Sequence, residues 1–105
     1  LNKKIVFGIT CHNSLSLAKK AILLDSTYVA FGAFFSTKTK KVKYVANKNI
    51  LKKAKKLNTK IVAIGGITNK NYKILLEYGA DFIAISSFVW KNQEFNPLEA
   101  IKLFK

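Results

Sequence analysis

The 105-residue chain has no arginine, and five carboxylates face nineteen lysines, leaving a net charge of +14. Such an excess invites a nucleic-acid reading. The missing arginine argues against it, because the guanidinium fork is the preferred group for two-pronged contacts to phosphate and guanine. The lysines are also spread along the whole sequence, as on a solvated helix surface, so nucleic acid is disfavoured as a partner. The single cysteine, Cys11, excludes an internal disulfide and makes a reducing cytoplasm the expected compartment. No apolar run approaches the ~20 residues that span a bilayer, so no membrane partner is expected. The opening Leu1-Asn2-Lys3-Lys4 carries no signal-peptide pattern, and a first residue other than methionine leads us to expect a piece of a longer chain.

About half the residues are apolar, enough for one modest core, so residues 1–105 are read as a single partial domain without an interior linker. Strand signals alternate with helix signals. Residues 5–9 form a short apolar run, stopped by Thr10-Cys11-His12-Asn13. Ser14 is an expected N-cap, followed by Leu15, Ala18 and Ile22 at helical spacing. Residues 28–31 predict a second strand, and a long basic loop runs from Gly32 to about Ala46. Asn47 opens a helix through Leu57, with Ile50, Leu51, Ala54 and Leu57 on one face. Residues 61–64 are wholly apolar, as in a strand buried on both faces. Thr68 or Asn69 is expected to cap a helix through Tyr78, which Gly79 ends. Residues 82–85 predict a fourth strand, and Asn96-Pro97 starts a last helix to Phe104.

Four consecutive βα units with parallel strands follow from this α/β alternation, and residues 27–32 weakly echo 81–86. Four units are half of a TIM (βα)8 barrel; a flavodoxin-like open sheet is the alternative. In both, ligands bind at the carboxyl ends of the strands. Those ends carry Ser36-Thr37-Lys38-Thr39-Lys40, Gly65-Gly66-Ile67-Thr68 and Ser86-Ser87. Hydroxyls, glycine amides and a lysine gathered there suit a phosphorylated small molecule. The five carboxylates, Asp25, Glu77, Asp81, Glu94 and Glu99, fall elsewhere, so no metal site is expected from this segment alone.

Gly8-Ile9-Thr10-Cys11-His12-Asn13, residues 32–40, Ala63-Ile64-Gly65-Gly66-Ile67-Thr68, and Gly79-Ala80-Asp81 with Ser87 resemble thiamine phosphate synthase in order and spacing. The resemblance covers nearly the whole chain but only the carboxy-terminal half of that family's barrel. It implies transfer of a hydroxymethylpyrimidine from its pyrophosphate onto a thiazole phosphate, giving thiamine phosphate and pyrophosphate. It also implies a magnesium ion, whose ligands are expected outside this chain. By the match, Thr10 and Lys40 would serve the departing pyrophosphate as catalytic groups. Thr37 and Thr39 would donate hydroxyls to the phosphates, and Gly66, Ser86 and Ser87 would form the thiazole phosphate cup. The chain departs from the family at Ala33 and Ser36, where proline is common, and at Ser86, where valine or isoleucine is usual. The unpaired edges of a half-barrel make pairing with a missing amino-terminal half, or self-association, the expected outcome.

Two rivals remain on sequence grounds. A thiazole tautomerase, a close relative, would use His12 as its acid and base. The Thr37-x-Thr39-Lys40 arrangement favours the synthase, since a lysine there serves a pyrophosphate. A non-enzymatic basic βα module binding a polyanion is the other. Cys11 lacks the partners of a nucleophile, and Trp90, Phe34 and Phe35 suit core or sheet-covering roles as well as stacking on a heterocycle.

Overall fold

Short apolar runs alternating with capped amphipathic segments dictate a layered α/β arrangement, and a computed structural model shows one; the structure describes residues 5–35 and 45–105. In chain order the elements are β1 (Gly8–His12), α1 (Leu15–Leu23), β2 (Tyr28–Phe31), α2 (Asn49–Lys55), β3 (Lys60–Ala63), α3 (Tyr72–Tyr78), β4 (Phe82–Ile83), α4 (Ser87–Trp90) and α5 (Pro97–Lys102). The strands form one sheet in the order β1-β2-β3-β4, with every neighbouring pair parallel. The expected run of βα units is therefore present.

Strand alternation divides the sheet into two unlike faces. Cys11, Val29, Phe31, Ile61 and Ala63 are buried with Ala18 and Ala21 of α1, Ile50, Leu51 and Ala54 of α2, and Leu75 of α3. Small alanines on α1 let that helix lie close to the sheet. The other face carries the row Thr10, Ala30, Val62 and Phe82, aligned by the strand register. Thr10 is exposed and Val62 half-buried, while Phe82 is 56 % exposed. Ala30, in the middle of the row, is buried, but no member of the row belongs to the core cluster formed with the helices, and half-buried Val62 leaves β3 fully buried on one face only, contrary to its apolar composition.

Several boundaries differ from the sequence expectation. The first strand begins at Gly8 rather than at residue 5 and runs through the polar Thr10 and His12. Pairing decides this: β2 starts at Tyr28 opposite Gly8, so the apolar residues before Gly8 have no ladder to join. Only Phe7 is tied there, its carbonyl accepting from Thr27 N at 2.8 Å. Helix α2 is shorter than expected, with Asn47 Oδ1 accepting from Asn49 N at 2.9 Å ahead of it. Helix α3 begins at Tyr72, after a separate turn over residues 68–71. The fourth strand is only Phe82–Ile83, and the last helix stops at Lys102.

The caps expected at Ser14, Asn96 and Gly79 are present, whereas the N-cap of α3 is Asn71 and not Thr68 or Asn69. Ser14 Oγ accepts from Leu17 N at 3.1 Å. Asn96 and Glu99 form a reciprocal capping box, with Pro97 in the first turn of α5. Helix α3 ends at Gly79, whose φ of 125° excludes a side chain at low cost. Phe104 packs edge-on against Tyr72 and Phe88, at ring separations of 5.0 and 5.4 Å, and fastens the carboxyl end to α3 and α4. Lys52, Lys53, Lys55 and Lys56 are exposed on α2 and the turn after it, as expected of a solvated face.

Candidate functional site at the strand ends

The carboxyl ends of a parallel sheet gather the loops that follow each strand, and here three of them are knitted by backbone bonds. Beyond Thr10 the β1–β2 register slips, so Cys11 bulges and His12 faces Phe31. His12 adopts φ 55° and is exposed, while its carbonyl accepts from Gly32 N at 3.1 Å. Ile64 N donates to Phe31 O at 2.9 Å, and Phe34 N and Phe35 N donate to Ile64 O and Gly65 O at 3.2 Å each. Residues 33–35 thus continue alongside residues 64–65 after the regular strands have ended.

Gly65 and Gly66 turn at φ 96° and 66°. A Cβ on Gly66 would collide with the Phe35 carbonyl, so glycine is required both for the dihedral and for the close approach. Among the described residues, the N–H groups of Gly65, Gly66 and Ile67 find no acceptor. Buried or half-buried amides without a protein partner are suited to an anionic ligand. The Asn71 side chain spans this turn: Oδ1 accepts from Thr68 N at 2.7 Å and Nδ2 donates to Gly66 O at 3.0 Å. Sequence reasoning missed Asn71; its one available signal was an amide residue three places after Thr68.

The other predicted residues fall as follows. Thr10 lies in the middle of β1 on the inner face, one level below the strand mouth, because the strand continues past it. Ser86 is exposed at the N-cap position of α4 and makes no side-chain capping bond; Ser87 opens the helix and is half-buried. Gly66 and Ser86–Ser87 follow neighbouring strands. Thr10 and His12 belong to the opposite edge, three strand spacings or roughly 14 Å from β4 and two from β3 along the sheet. Thr37, Thr39 and Lys40 lie outside the described residues, as does Ser36. The described chain on either side of them is tied back: Ala46 N donates to Ala33 O at 2.7 Å and Asn47 N to Asn13 Oδ1 at 3.1 Å.

Cys11 is buried, which pushes its thiol pKa up, and its sulfur donates to Ile9 O at 3.4 Å; this is a core residue and not a nucleophile. Phe34 is buried in the core, whereas Trp90 is 73 % exposed. Among the described residues no three His, Cys, Asp or Glu side chains come together to hold a metal ion. A cleft of about 460 Å³ lies between Thr68–Lys70 and the segment around Asn92 and Phe95; of the predicted site residues that are described, none lines it. No described helix is long and apolar enough to cross a membrane.

Residues 1–89 match the family model for thiamine monophosphate synthase. The chain is 54 % identical over 104 residues to the thiamine-phosphate synthase of Pelagibacter ubique, covering 98 % of this chain and 50 % of that protein. It is 35 % identical over 105 residues to the thiamine-phosphate synthase of Xylella fastidiosa, covering 100 % of this chain and 44 % of the relative. Among solved structures, the thiamine phosphate pyrophosphorylase of Pyrococcus furiosus superposes with a TM-score of 0.79 at 27 % identity, over 95 % of this chain and 46 % of that one. The chain spans about half the length of the curated relatives it matches.

Proposed function

This chain belongs to the thiamine monophosphate synthase family, and from that premise we propose that it supplies the thiazole phosphate subsite, and part of the pyrophosphate subsite, of a thiamine phosphate synthase. The observation that carries the reading is the Gly65-Gly66-Ile67 turn at the mouth of the sheet, with amides unpartnered among the described residues. The reaction would break the bond between the pyrimidine methylene and pyrophosphate oxygen and form one to the thiazole nitrogen. Its physical demands are to hold the nitrogen in line and to stabilise the charge growing on pyrophosphate.

The chain's own groups divide between those tasks. Gly66, Ser86 and Ser87, after neighbouring strands, would hold the thiazole phosphate by backbone amides and hydroxyls. Lys40 would place a compact positive charge against the pyrophosphate, with Thr10, Thr37 and Thr39 as hydroxyl donors. The roughly 14 Å between the two sheet edges leaves room for two substrates side by side. Magnesium would come with residues outside this chain. The synthase names of the relatives favour transfer over isomerisation by His12. Completion by a second half-barrel, or by self-association, and a cytoplasmic setting belong to the same proposal.

Calorimetric titration of thiamine phosphate and of inorganic pyrophosphate into the full-length protein, beside Lys40→Ala, tests it. Thiamine phosphate binding that survives moderate salt, with pyrophosphate binding weakened in the variant, is the expected result. Binding that collapses with salt and ignores Lys40 would instead favour a general polyanion site.

A further inference from the structure

We propose that Asn71 is the positioning residue of the phosphate-binding turn, its side-chain amide holding the Gly66 peptide so that the turn presents to ligand the amides that are unpartnered among the described residues. The inference rests on the phosphate subsite proposed above. Both ends of the amide are engaged, with Oδ1 on Thr68 N at 2.7 Å and Nδ2 on Gly66 O at 3.0 Å. The orientation is unambiguous, since a flipped amide would oppose donor to donor and acceptor to acceptor.

The expenditure of this side chain is informative. Asn71 occupies the N-cap of α3, where an asparagine ordinarily accepts from the helix's own first turn, yet it makes no such bond. It reaches back over five residues instead. The Gly66 peptide is gripped from the other side by Phe35, whose carbonyl lies where a Cβ would be. Engaging the Gly66 carbonyl leaves the N–H groups of Gly65, Gly66 and Ile67 as the turn's open polar side among the described residues. Thr68 is locked in turn, its Oγ1 accepting from Lys70 N at 3.2 Å and its carbonyl from Asn71 N at 3.3 Å. Asn71 need not touch substrate to set where those amides sit.

The test uses the full-length protein, with thiamine phosphate, thiamine and inorganic pyrophosphate as probes and a thermal melt alongside. Asn71→Ala is expected to weaken thiamine phosphate about tenfold or more while changing thiamine and pyrophosphate little, so that the preference for the phosphorylated form falls by that factor. Asn71→Asp keeps the acceptor for Thr68 N but sets an anion against the Gly66 carbonyl, and should lower the same preference at least as far. This variant is isosteric and carries the comparison if the alanine variant does not fold. A folded variant that retains the wild-type ratio, or loses all three ligands equally, overturns the assignment. A wild-type protein that does not distinguish thiamine phosphate from thiamine overturns the subsite reading itself, and the role of Asn71 with it.

Discussion

Lys55 and Asp81 meet at 2.9 Å, and the second carboxylate oxygen of Asp81 accepts from Ile61 N, also at 2.9 Å. Asp81 N donates in return to Ile61 O at 2.9 Å. One carboxylate thereby ties the end of α2, the start of β3 and the entry to β4. All three junctions lie at the amino ends of the strands, opposite the candidate site. In parallel α/β architectures that end serves stability, and the carboxyl end serves chemistry.

Acid should therefore weaken the fold through Asp81. The Lys55 hydrogen bond, with the Ile61 amide adding to it, holds the Asp81 carboxyl below the usual carboxylate range despite the opposing effect of burial. A lowered folded-state pKa means the stabilisation is present above the unfolded value, about 3.9, and is lost as pH falls through the folded value. Urea unfolding at pH 7 and below pH 4 should show that loss, and Asp81→Asn should flatten the slope. The side chain of Lys55 is 53 % exposed, so Lys55→Ala should cost less than about 1 kcal/mol. Asp81→Ala, which also strands the Ile61 amide, should cost about 1–3 kcal/mol. Equal effects of the two alanine variants would contradict this division.

Gly66→Ala should damage the site more than the fold. The new methyl group meets the Phe35 carbonyl and sits at φ 66°, a conformation costing roughly 1–2 kcal/mol for a residue with a Cβ. Relief requires the turn to move away from residues 33–35. The melting temperature should fall by only a few degrees, while thiamine phosphate affinity in the full-length protein drops by more than about tenfold. Unchanged affinity would remove this turn from the phosphate subsite.

What the sequence disclosed depended on whether the signal was local. The β2 strand was legible because its apolar run coincides with its pairing partners. The Ser14 and Asn96 caps were legible because capping is settled within one helical turn. The first strand was misplaced because Ile5 and Val6 look like strand residues but lack a neighbour, whereas Thr10 and His12 gain one. The one-sided burial of β3 was hidden because composition cannot say whether a second layer is present. At the site, the glycine turn was legible from its motif. Asn71 was not, because a side chain folding back onto a preceding loop has no periodicity.

The α5 capping box offers a stability prediction separate from function. Asn96 Oδ1 accepts from Glu99 N at 2.9 Å, and Glu99 Oε1 accepts from Asn96 N at 3.1 Å. Asn96→Ala should cost about 1 kcal/mol, read as a lowered urea midpoint with an unchanged slope. Because Phe104 follows this helix and contacts Tyr72 and Phe88, loss of the cap should also loosen the α4 region, visible as faster amide exchange at Val89. No change in exchange there would separate α5 from the rest of the fold.

The inner face leads to a prediction about assembly. Phe82 is 56 % exposed on the inner face, and Ile5 and Val6 are 80 % and 72 % exposed before the opposite edge strand. Both edges of the four-stranded sheet carry backbone groups with no strand beside them among the described residues. Apolar surface and free edges on one molecule favour association through strand pairing. The 105-residue chain alone should therefore scatter light as more than a monomer and bind an apolar dye. In a full-length protein of the family's length the same face would be enclosed, and dye binding should disappear. Phe82→Ala separates the two states: truncating a half-exposed side chain should change the stability of the isolated chain by less than about 1 kcal/mol, but truncating an enclosed one should cost about 3–5 kcal/mol. A soluble monomer of the isolated chain that binds no dye, with equal costs in both contexts, would mean that the inner face needs no partner.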